Sequence, residues 1–279
     1  MKVTIITATY NSRNTIRDTL ISVAEQSYPF IEHIVVDGAS TDDTLEIVNE
    51  FPHICTVVSE KDNGIYDAMN KGIAMATGDI VGILNSDDFL ADQYVVEKIV
   101  RAFADTGSDA VYGDLLFVDR ENINKVKRVW VAGDYRPVLL YRGWMPPHPT
   151  FYVRRHCYEQ FGNFNTQFKV AADYDMLIRL LLVNRIRVTY IPQVLINMRT
   201  GGVSTRSLRD RFSINREDQL VWKINNQTPK WYTLYCKPLY KLKQFIMPAL
   251  RWRLRNRVPV EKTNEETIPA SHHSPVTRV

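Results

Sequence analysis

Asn85-Ser86-Asp87-Asp88 closes an apolar run, and its adjacent carboxylates suit a hard divalent cation. Mg2+ or Mn2+ takes one or two carboxylates and completes its shell with water and phosphate oxygens. A cation there would neutralise a phosphate-rich leaving group; an Asx turn before the next helix is the competing reading. Asp37 ends another β-branched run, and Asp62 lies just past a third. Acids at such places can accept hydrogen bonds from a base or ribose, or simply cap a turn. Asp173, within Val170-Ala171-Ala172-Asp173-Tyr174-Asp175, opens a helical pattern and would stand at the helix mouth as an N-cap or as a general base. His148 lies among Pro146, Pro147 and Pro149, so a stiff, extended segment is predicted to present it to a phosphate or metal. A lone histidine is, however, more often structural. Arg199-Thr200-Gly201-Gly202-Val203-Ser204 reads either as a Gly-hinged lid carrying a cation to phosphate or as a surface turn.

Alternating strand and helix patterns must position these groups. Val3 to Ala8, His33 to Val36, Cys55 to Ser59 and Ile80 to Leu84 read as strands. Asn14 to Gln26, a segment from Ser40 or Thr41 to Glu50, Tyr66 to Met75 and Tyr94 to Phe103 read as the helices between and after them. This order implies parallel pairing with right-handed crossovers. Ligands of such sheets lie beyond the carboxyl ends of the strands, where the polar segments fall. From Asp109 to Ile196 the pattern changes to strands with irregular connections and one helix from Asp173 to Leu182.

Length and composition exclude several classes. A chain of 279 residues buries one substantial core without staples. Three widely spaced cysteines, Cys55, Cys157 and Cys236, argue against a disulfide framework or a zinc site and suit a reducing compartment. The start, Met1-Lys2-Val3-Thr4-Ile5-Ile6, reads as a strand rather than a signal peptide, and no run approaches the roughly 20 apolar residues of a membrane span. A cytoplasmic location is the expectation. No Gly-x-Gly-x-x-Gly follows the first strand, which excludes a dinucleotide-binding dehydrogenase. A glycoside hydrolase also uses paired carboxylates but needs no nucleotide pocket. A nucleotidyltransferase would carry a glycine-rich loop after the first strand, and Thr7 to Arg13 has no glycine.

Five segments occur in order: Thr7-Ala8-Thr9-Tyr10-Asn11, Val35 to Asp42, Asn63 to Gly72, Ala76-Thr77-Gly78-Asp79 and Leu84 to Asp88. Together they resemble the nucleotide-binding half of the family 2 glycosyltransferases, over roughly residues 1 to 205. The Glu60 to Gly72 segment is similar to enzymes of bacterial exopolysaccharide and O-antigen assembly. The resemblance implies a GT-A fold, a three-layer α/β/α sandwich with a mostly parallel sheet, divided into a nucleotide-binding half (1–108) and an acceptor half (109–207). It also implies transfer of a sugar from a nucleotide-sugar, commonly a UDP-sugar, to a lipid-linked or oligosaccharide acceptor, with inversion. Thr7, Ala8, Tyr10 and Asn11 would line the base pocket, Asp37 would bind the base, Asp62 would approach the nucleoside and Lys71 the diphosphate. Asp87 and Asp88 fall on the family's metal motif, Asp87 also contacting the nucleotide, and Asp173 falls on the aspartate that deprotonates the acceptor. Asn85 stands where the motif has its first aspartate, and Ala172 stands where a glutamate often precedes the base. A catalytically inactive nucleotide-sugar-binding regulator would keep the sheet but is expected to lack Asp173.

The C-terminal part is different in kind. No acidic residue lies between Asp218 and Glu261, whereas Lys and Arg recur from Lys223 to Arg257 among Trp222, Trp231, Tyr232, Tyr235, Tyr240, Phe245 and Trp252. Residues 208–260 read as a basic, aromatic helical extension and 261–279 as a disordered tail. Residues 219–260 would rest on an anionic membrane surface, making the protein peripheral on the inner face of the cytoplasmic membrane. Packing on the catalytic domain with a solvated basic face is the alternative. Nucleic acid is disfavoured, because nothing else resembles a nucleic-acid module.

Overall fold

A computed structural model describes residues 1–201 and 208–233, with side chains in the second span from 216 onward. The expected tail, most of the aromatic extension and Gly202-Val203-Ser204 of the expected lid lie outside the described residues.

Nine strands form one sheet in the order β3-β2-β1-β4-β8-β6-β9-β5, with β7 paired to β6. They are β1 (Val3–Thr9), β2 (Ile31–Asp37), β3 (Ile54–Ser59), β4 (Ile80–Ile83), β5 (Asp88–Leu90), β6 (Ala110–Val118), β7 (Val126–Trp130), β8 (Tyr152–Arg154) and β9 (Val188–Arg199). β1 pairs in parallel with β2 and β4, β2 with β3, and β6 with β9; β5, β7 and β8 run against their neighbours. Strand alternation sends side chains to two separate cores. Ile6, Ala8 and Val81 face one, and Val3, Ile5 and Ile80 face the other. Helix α1 (Ile16–Ala24) and α4 (Val95–Thr106) cover one face, and α3 (Ile65–Met75) covers the opposite one. Each fully buried isoleucine stabilises this sandwich by roughly 1.5–3 kcal/mol. The expected three-layer GT-A-like α/β architecture is the one observed.

The sheet curls, and this positions the site. The β4–β5 link includes a tight turn in which the Asp88 N–H donates to the Asn85 carbonyl at 3.0 Å. Yet β8, β6 and β9 separate β4 from β5 in the sheet order. Four strand spacings would cover about 19 Å if flat, beyond the reach of such a turn, so the far edge must bend back. Register shifts between Gly113 and Leu115, where β6 meets β9, fall within that bend.

Local differences from the expected elements have physical causes. α2 runs only Thr44–Asn49, because Ser40 is bonded to Asp37 and the Thr41 N–H to Asn11, drawing that stretch into a loop. Asp42 then accepts the Thr44 N–H at 3.1 Å. The helix predicted from Asp173 to Leu182 is α7 (Ala172–Leu177) continued as a π-helical turn, Ile178–Val183. The Asn184 N–H closes that wider turn on the Arg179 carbonyl at 3.0 Å. His148 is not on an extended segment but begins a 3-10 turn, His148–Thr150, closed by the Thr150 side chain and the Phe151 N–H.

α5 (Pro137–Tyr141) and α6 (Arg155–Phe161) complete the second half. α8 (Leu208–Ile224) packs on the same core: Val221 and Trp222 are fully buried within it, and the Trp222 indole N–H donates to the Tyr174 hydroxyl at 3.0 Å. Trp222, counted among the surface aromatics of the extension, is therefore a core residue. Trp231 is 84% exposed and keeps the surface role open to it.

Candidate active site

The residues singled out by sequence gather at the carboxyl ends of the strands in three corners. At the ends of β1 and β2, the Asp37 carboxylate is fully buried and saturated. It accepts the Ser40 N–H at 2.9 Å, the Ser59 hydroxyl at 2.7 Å and the Ser40 hydroxyl. Expected to bind a base directly, it is turned inward, because these local donors take both its oxygens. Thr7 and Ala8 are likewise inward: the Thr7 hydroxyl bonds His33 at 3.0 Å and Ala8 packs in the core. The groups that face outward here are the Tyr10 ring, 61% exposed, and Asp62, whose carboxylate also caps Gly64 at 2.8 Å. Gly38 makes their approach possible, since a Cβ there would lie 2.5 Å from an Asp62 oxygen and 3.5 Å from the Tyr10 ring. Asn11, with φ of 48°, turns the chain and accepts the Thr41 N–H at 2.9 Å. Lys71 is ion-paired with Glu60 at 2.7 Å and lies 3.8 Å from Asp67. Its ammonium is therefore held near this corner rather than presented bare.

The second corner is built on the link from β4 to β5. Asp88 is fully buried, one oxygen accepting from Asn85 at 3.1 Å and Oδ1 finding no donor. Burial, then the neighbouring Asp87, pushes its carboxyl well above the ordinary range. Asp87 is raised too, chiefly by burial, with Arg120 and Arg199 opposing. In both acids burial outweighs the nearby arginines, and raised carboxyls of this kind mark a candidate site. Arg199, at the end of β9, is 3% exposed; it donates to the Asp87 carbonyl at 2.8 Å and pairs with Asp18. It is thus a fixed post beside the acids, not a group swinging on a loop. A cavity of about 390 Å3 lined by Asn14, Thr15, Asp18, Arg120, Glu121 and Arg199 opens beside it. A larger one, about 460 Å3, lies by Met1, Phe30 and Asp79 at the opposite ends of the strands, away from these groups. The Ser12 and Ser86 hydroxyls, 2.8 Å apart, tie the first corner to the second.

Among the described residues no cluster of three or more His, Cys, Asp or Glu could enclose a metal by itself. Mg2+ or Mn2+ bound through one or two carboxylates and a substrate diphosphate does not require one. The partnerless Asp88 oxygen and the raised pKa values of the pair fit that arrangement.

The third corner surrounds Asp173, partly exposed at the second position of α7. Its Oδ1 accepts the Tyr174 N–H at 2.7 Å and lies 3.5 Å from the Tyr66 hydroxyl, which donates to the Val170 carbonyl at 2.7 Å. Tyr66 stacks on Phe164, and His148 meets the same ring edge-on at 5.5 Å. Burial holds the His148 imidazole below its usual range, opposed by the Asp173 charge, so it is neutral at physiological pH. The sequence placed His148 and Asp173 in separate motifs, and the fold brings them to one corner. It did not single out Tyr66 or Phe164; Tyr66 stood only as an aromatic within the Asn63 to Gly72 segment, and Phe164 lay outside every motif. Tyr66 lies in the first turn of the helix that follows Asp62, so α3 joins the first corner to the third.

Comparison with known proteins agrees with this geometry. The family model of glycosyl transferase family 2 matches residues 4–170. The PGL/p-HBAD biosynthesis glycosyltransferase of Mycobacterium bovis is 30% identical over 220 residues, covering 76% of this chain and 82% of its own. The crystal structure of S. aureus TarS 1-349 in complex with UDP superposes with a TM-score of 0.63 at 20% identity, covering 92% of this chain and 76% of that one. Mannosyltransferase PcManGT from Pyrobaculum calidifontis, in complex with GDP-Man and Mn2+, gives 0.60 at 22% identity, with 91% and 72% covered. Among the described residues, no helix is long and apolar enough to cross a membrane.

Proposed function

We propose a specific reaction for this chain, which belongs to glycosyl transferase family 2 and is a glycosyltransferase: an acceptor hydroxyl displaces a nucleoside diphosphate from a nucleotide-sugar, with inversion. The observation that carries it is the Asp87–Asp88 pair, Asp88 fully buried with one oxygen lacking any donor and Asp87 half-buried beside it, at the sheet end that also bears Asp173. Tyr10 offers an exposed ring for the base, Asp62 an acceptor for the nucleoside, and Asn11 the turn that separates them. Asp37 acts on the pocket by holding Ser40 and Ser59, and Thr7 and Ala8 shape its floor. Lys71, with Glu60, borders the diphosphate. Asp87 and Asp88 would hold a divalent cation, which supplies charge neutralisation to the departing diphosphate when bound. Arg199 keeps the Asp87 backbone in place.

Asp173 takes the acceptor proton. As the acceptor oxygen forms its bond to the anomeric carbon, the bond from that carbon to the diphosphate oxygen breaks and the electron pair leaves with the nucleotide. His148, neutral and buried behind Phe164, shapes the acceptor side. UDP is the first nucleotide to test, because TarS is described with UDP on the same fold; GDP is the second, because PcManGT is described with GDP-Man. For a lipid-linked glycan acceptor, the supporting observation is the exposed Trp231 beside Lys230, an aromatic and basic pair suited to a membrane surface.

Calorimetric titration with UDP, GDP and dTDP, with and without Mn2+, tests the donor site. One nucleotide should bind only with metal, fail in Asp88→Ala and survive in Asp173→Ala. Binding of none would remove the donor assignment. For the membrane, a chain ending at residue 233 keeps the buried Trp222 and should lose co-sedimentation with anionic vesicles shown by the full chain. Equal sedimentation of both would exclude the role given to the later residues.

A further inference from the structure

We infer that Glu217, on α8, is a positioning residue for Asp173, an inference that rests on reading Asp173 as the base. α7 begins without a cap of its own: Ala171 is the N-cap residue and makes no side-chain hydrogen bond, and Ala172 follows. The backbone that leads into the helix, from Lys169 to the N-cap Ala171, precedes its first turn and requires acceptors from elsewhere. Glu217 supplies them. Its Oε2 accepts the Val170 and Ala171 N–H groups, each at 3.0 Å, and its Oε1 accepts that of Lys169 at 3.3 Å. Three consecutive amides thus converge on one carboxylate, which also meets the positive end of the helix.

The same backbone is held from its other side. The Val170 carbonyl accepts the Tyr66 hydroxyl at 2.7 Å, so this residue is fixed through both its N–H and its C=O. Tyr66 comes from α3 in the nucleotide half, and Glu217 from α8 beyond the acceptor half. Two residues on, Asp173 uses Oδ1 to accept the Tyr174 N–H at 2.7 Å. That leaves Oδ2 without a hydrogen bond among the described residues, in the state a proton acceptor needs. α8 also holds the body of α7, Trp222 donating to Tyr174 and Asn225 to Asp175 at 2.7 Å. Among the described side chains of α8, Glu217 is the one bonded at the mouth, where the reacting carboxylate stands. Without it, three orphan amides would draw water, and the Lys169–Ala171 backbone would be free to displace Asp173. A displacement of about 1 Å can cost on the order of a hundredfold in rate.

The test uses the full chain with Glu217→Ala and Glu217→Gln, measuring kcat, donor KM, nucleotide affinity and hydrogen exchange at the Tyr174 amide. Glu217→Ala should lower kcat at least tenfold and speed exchange at Tyr174, with donor KM and nucleotide affinity within twofold of wild type. Glu217→Gln keeps one acceptor oxygen and should recover most of the rate, which also covers the case in which the alanine variant does not fold. Turnover within twofold of wild type in the alanine variant, equal loss of donor affinity and kcat, or unchanged Tyr174 exchange would each overturn the inference. Asp173→Asn separates the two readings. Wild-type turnover in that variant would sink the assignment of the base, whereas a large defect there with unaltered Tyr174 exchange in Glu217→Ala would sink the clamp alone.

Discussion

Two fully buried aspartates lie on the carboxyl side of the sheet, Asp37 ending β2 and Asp88 opening β5 after the turn from β4, and the two are treated in opposite ways. Asp37 is surrounded by donors, with the Ser40 N–H, the Ser40 hydroxyl and the Ser59 hydroxyl on its two oxygens. Asp88 has one side-chain donor, Asn85, some relief from the Arg199 backbone and charge, an oxygen with no close donor, and a second acid beside it. A buried charge that is fully hydrogen-bonded is structural, whereas one left without partners is costly and persists only where a ligand completes it. Residue type and burial are the same; the difference lies in the donors brought to each.

This contrast can be broken at its structural end first. Asp37→Ala strands three donors and should destabilise the fold by about 3–5 kcal/mol, read from chemical denaturation, since each hydrogen bond to a charged group contributes roughly 1.5–3 kcal/mol. A loss below about 1 kcal/mol would mean that the two strand ends are alike. At the other end, Asp88→Ala should weaken metal-dependent nucleotide binding at least about a hundredfold, or 2.7 kcal/mol, while leaving the fold intact. Binding unchanged by that substitution would deny Asp88 its ligand.

A pH titration sharpens the contrast further. His33, on β2 with Asp37, is buried between Thr7 and His53, and burial, followed by the His53 charge, lowers it to about 3 from 6.5. The unfolded chain therefore binds more protons than the folded one between those values. Stability is complete above about 6.5 and should fall as the pH drops toward 3, by up to about 1.4 kcal/mol per unit. His33→Gln should flatten that slope in thermal melts; an unaltered slope would place the acid sensitivity elsewhere. The smallest effect is expected from Asp88→Asn. The Asp88 carboxyl is raised, so the folded state loses stability as pH rises from the unfolded value through the folded one. Removing that charge should raise metal-free stability at neutral pH by about 1 kcal/mol, or roughly 2–4 °C, while impairing metal-dependent binding. A lower melting temperature would show that Asp88 supports the fold as Asp37 does.

How much of the site was legible follows from how local each contact is. The strands and their polar ends stood out because β-branched runs broken by polar residues signal strand ends within a few positions. Asp37, Asp62, Asp87 and Asp88 were found that way, and Asp173 from the helical pattern after it. Their roles were less legible than their places. Asp37 resembled a ligand contact until Ser59, from the next strand, was seen bonded to it. His148 was read as extended from its prolines, but a 3-10 turn fixed by Thr150 and Phe151 sets its direction. Arg199 suggested a lid residue because glycines follow it, yet Asp18, Phe89 and the Asp87 carbonyl hold it. Tyr66, Phe164 and Glu217 carried no local signal, since each matters only through partners far along the chain.

Sequence alone determined the family, the three-layer α/β fold, and the placing of acids at the ends of successive strands. These depend on short-range periodicity and on motif order, which survive without coordinates. Tertiary structure decided which acid is satisfied and which keeps an oxygen without a donor, through the approach of donors from distant strands. It also decided that the sheet curls until β9 delivers Arg199 to Asp87, and that α8 closes on α7 to hold the mouth at which Asp173 stands. The reason is common to all three: a carboxylate's chemistry is set by the groups within a few ångströms of it, and here many of those groups come from residues 22 to 112 positions away.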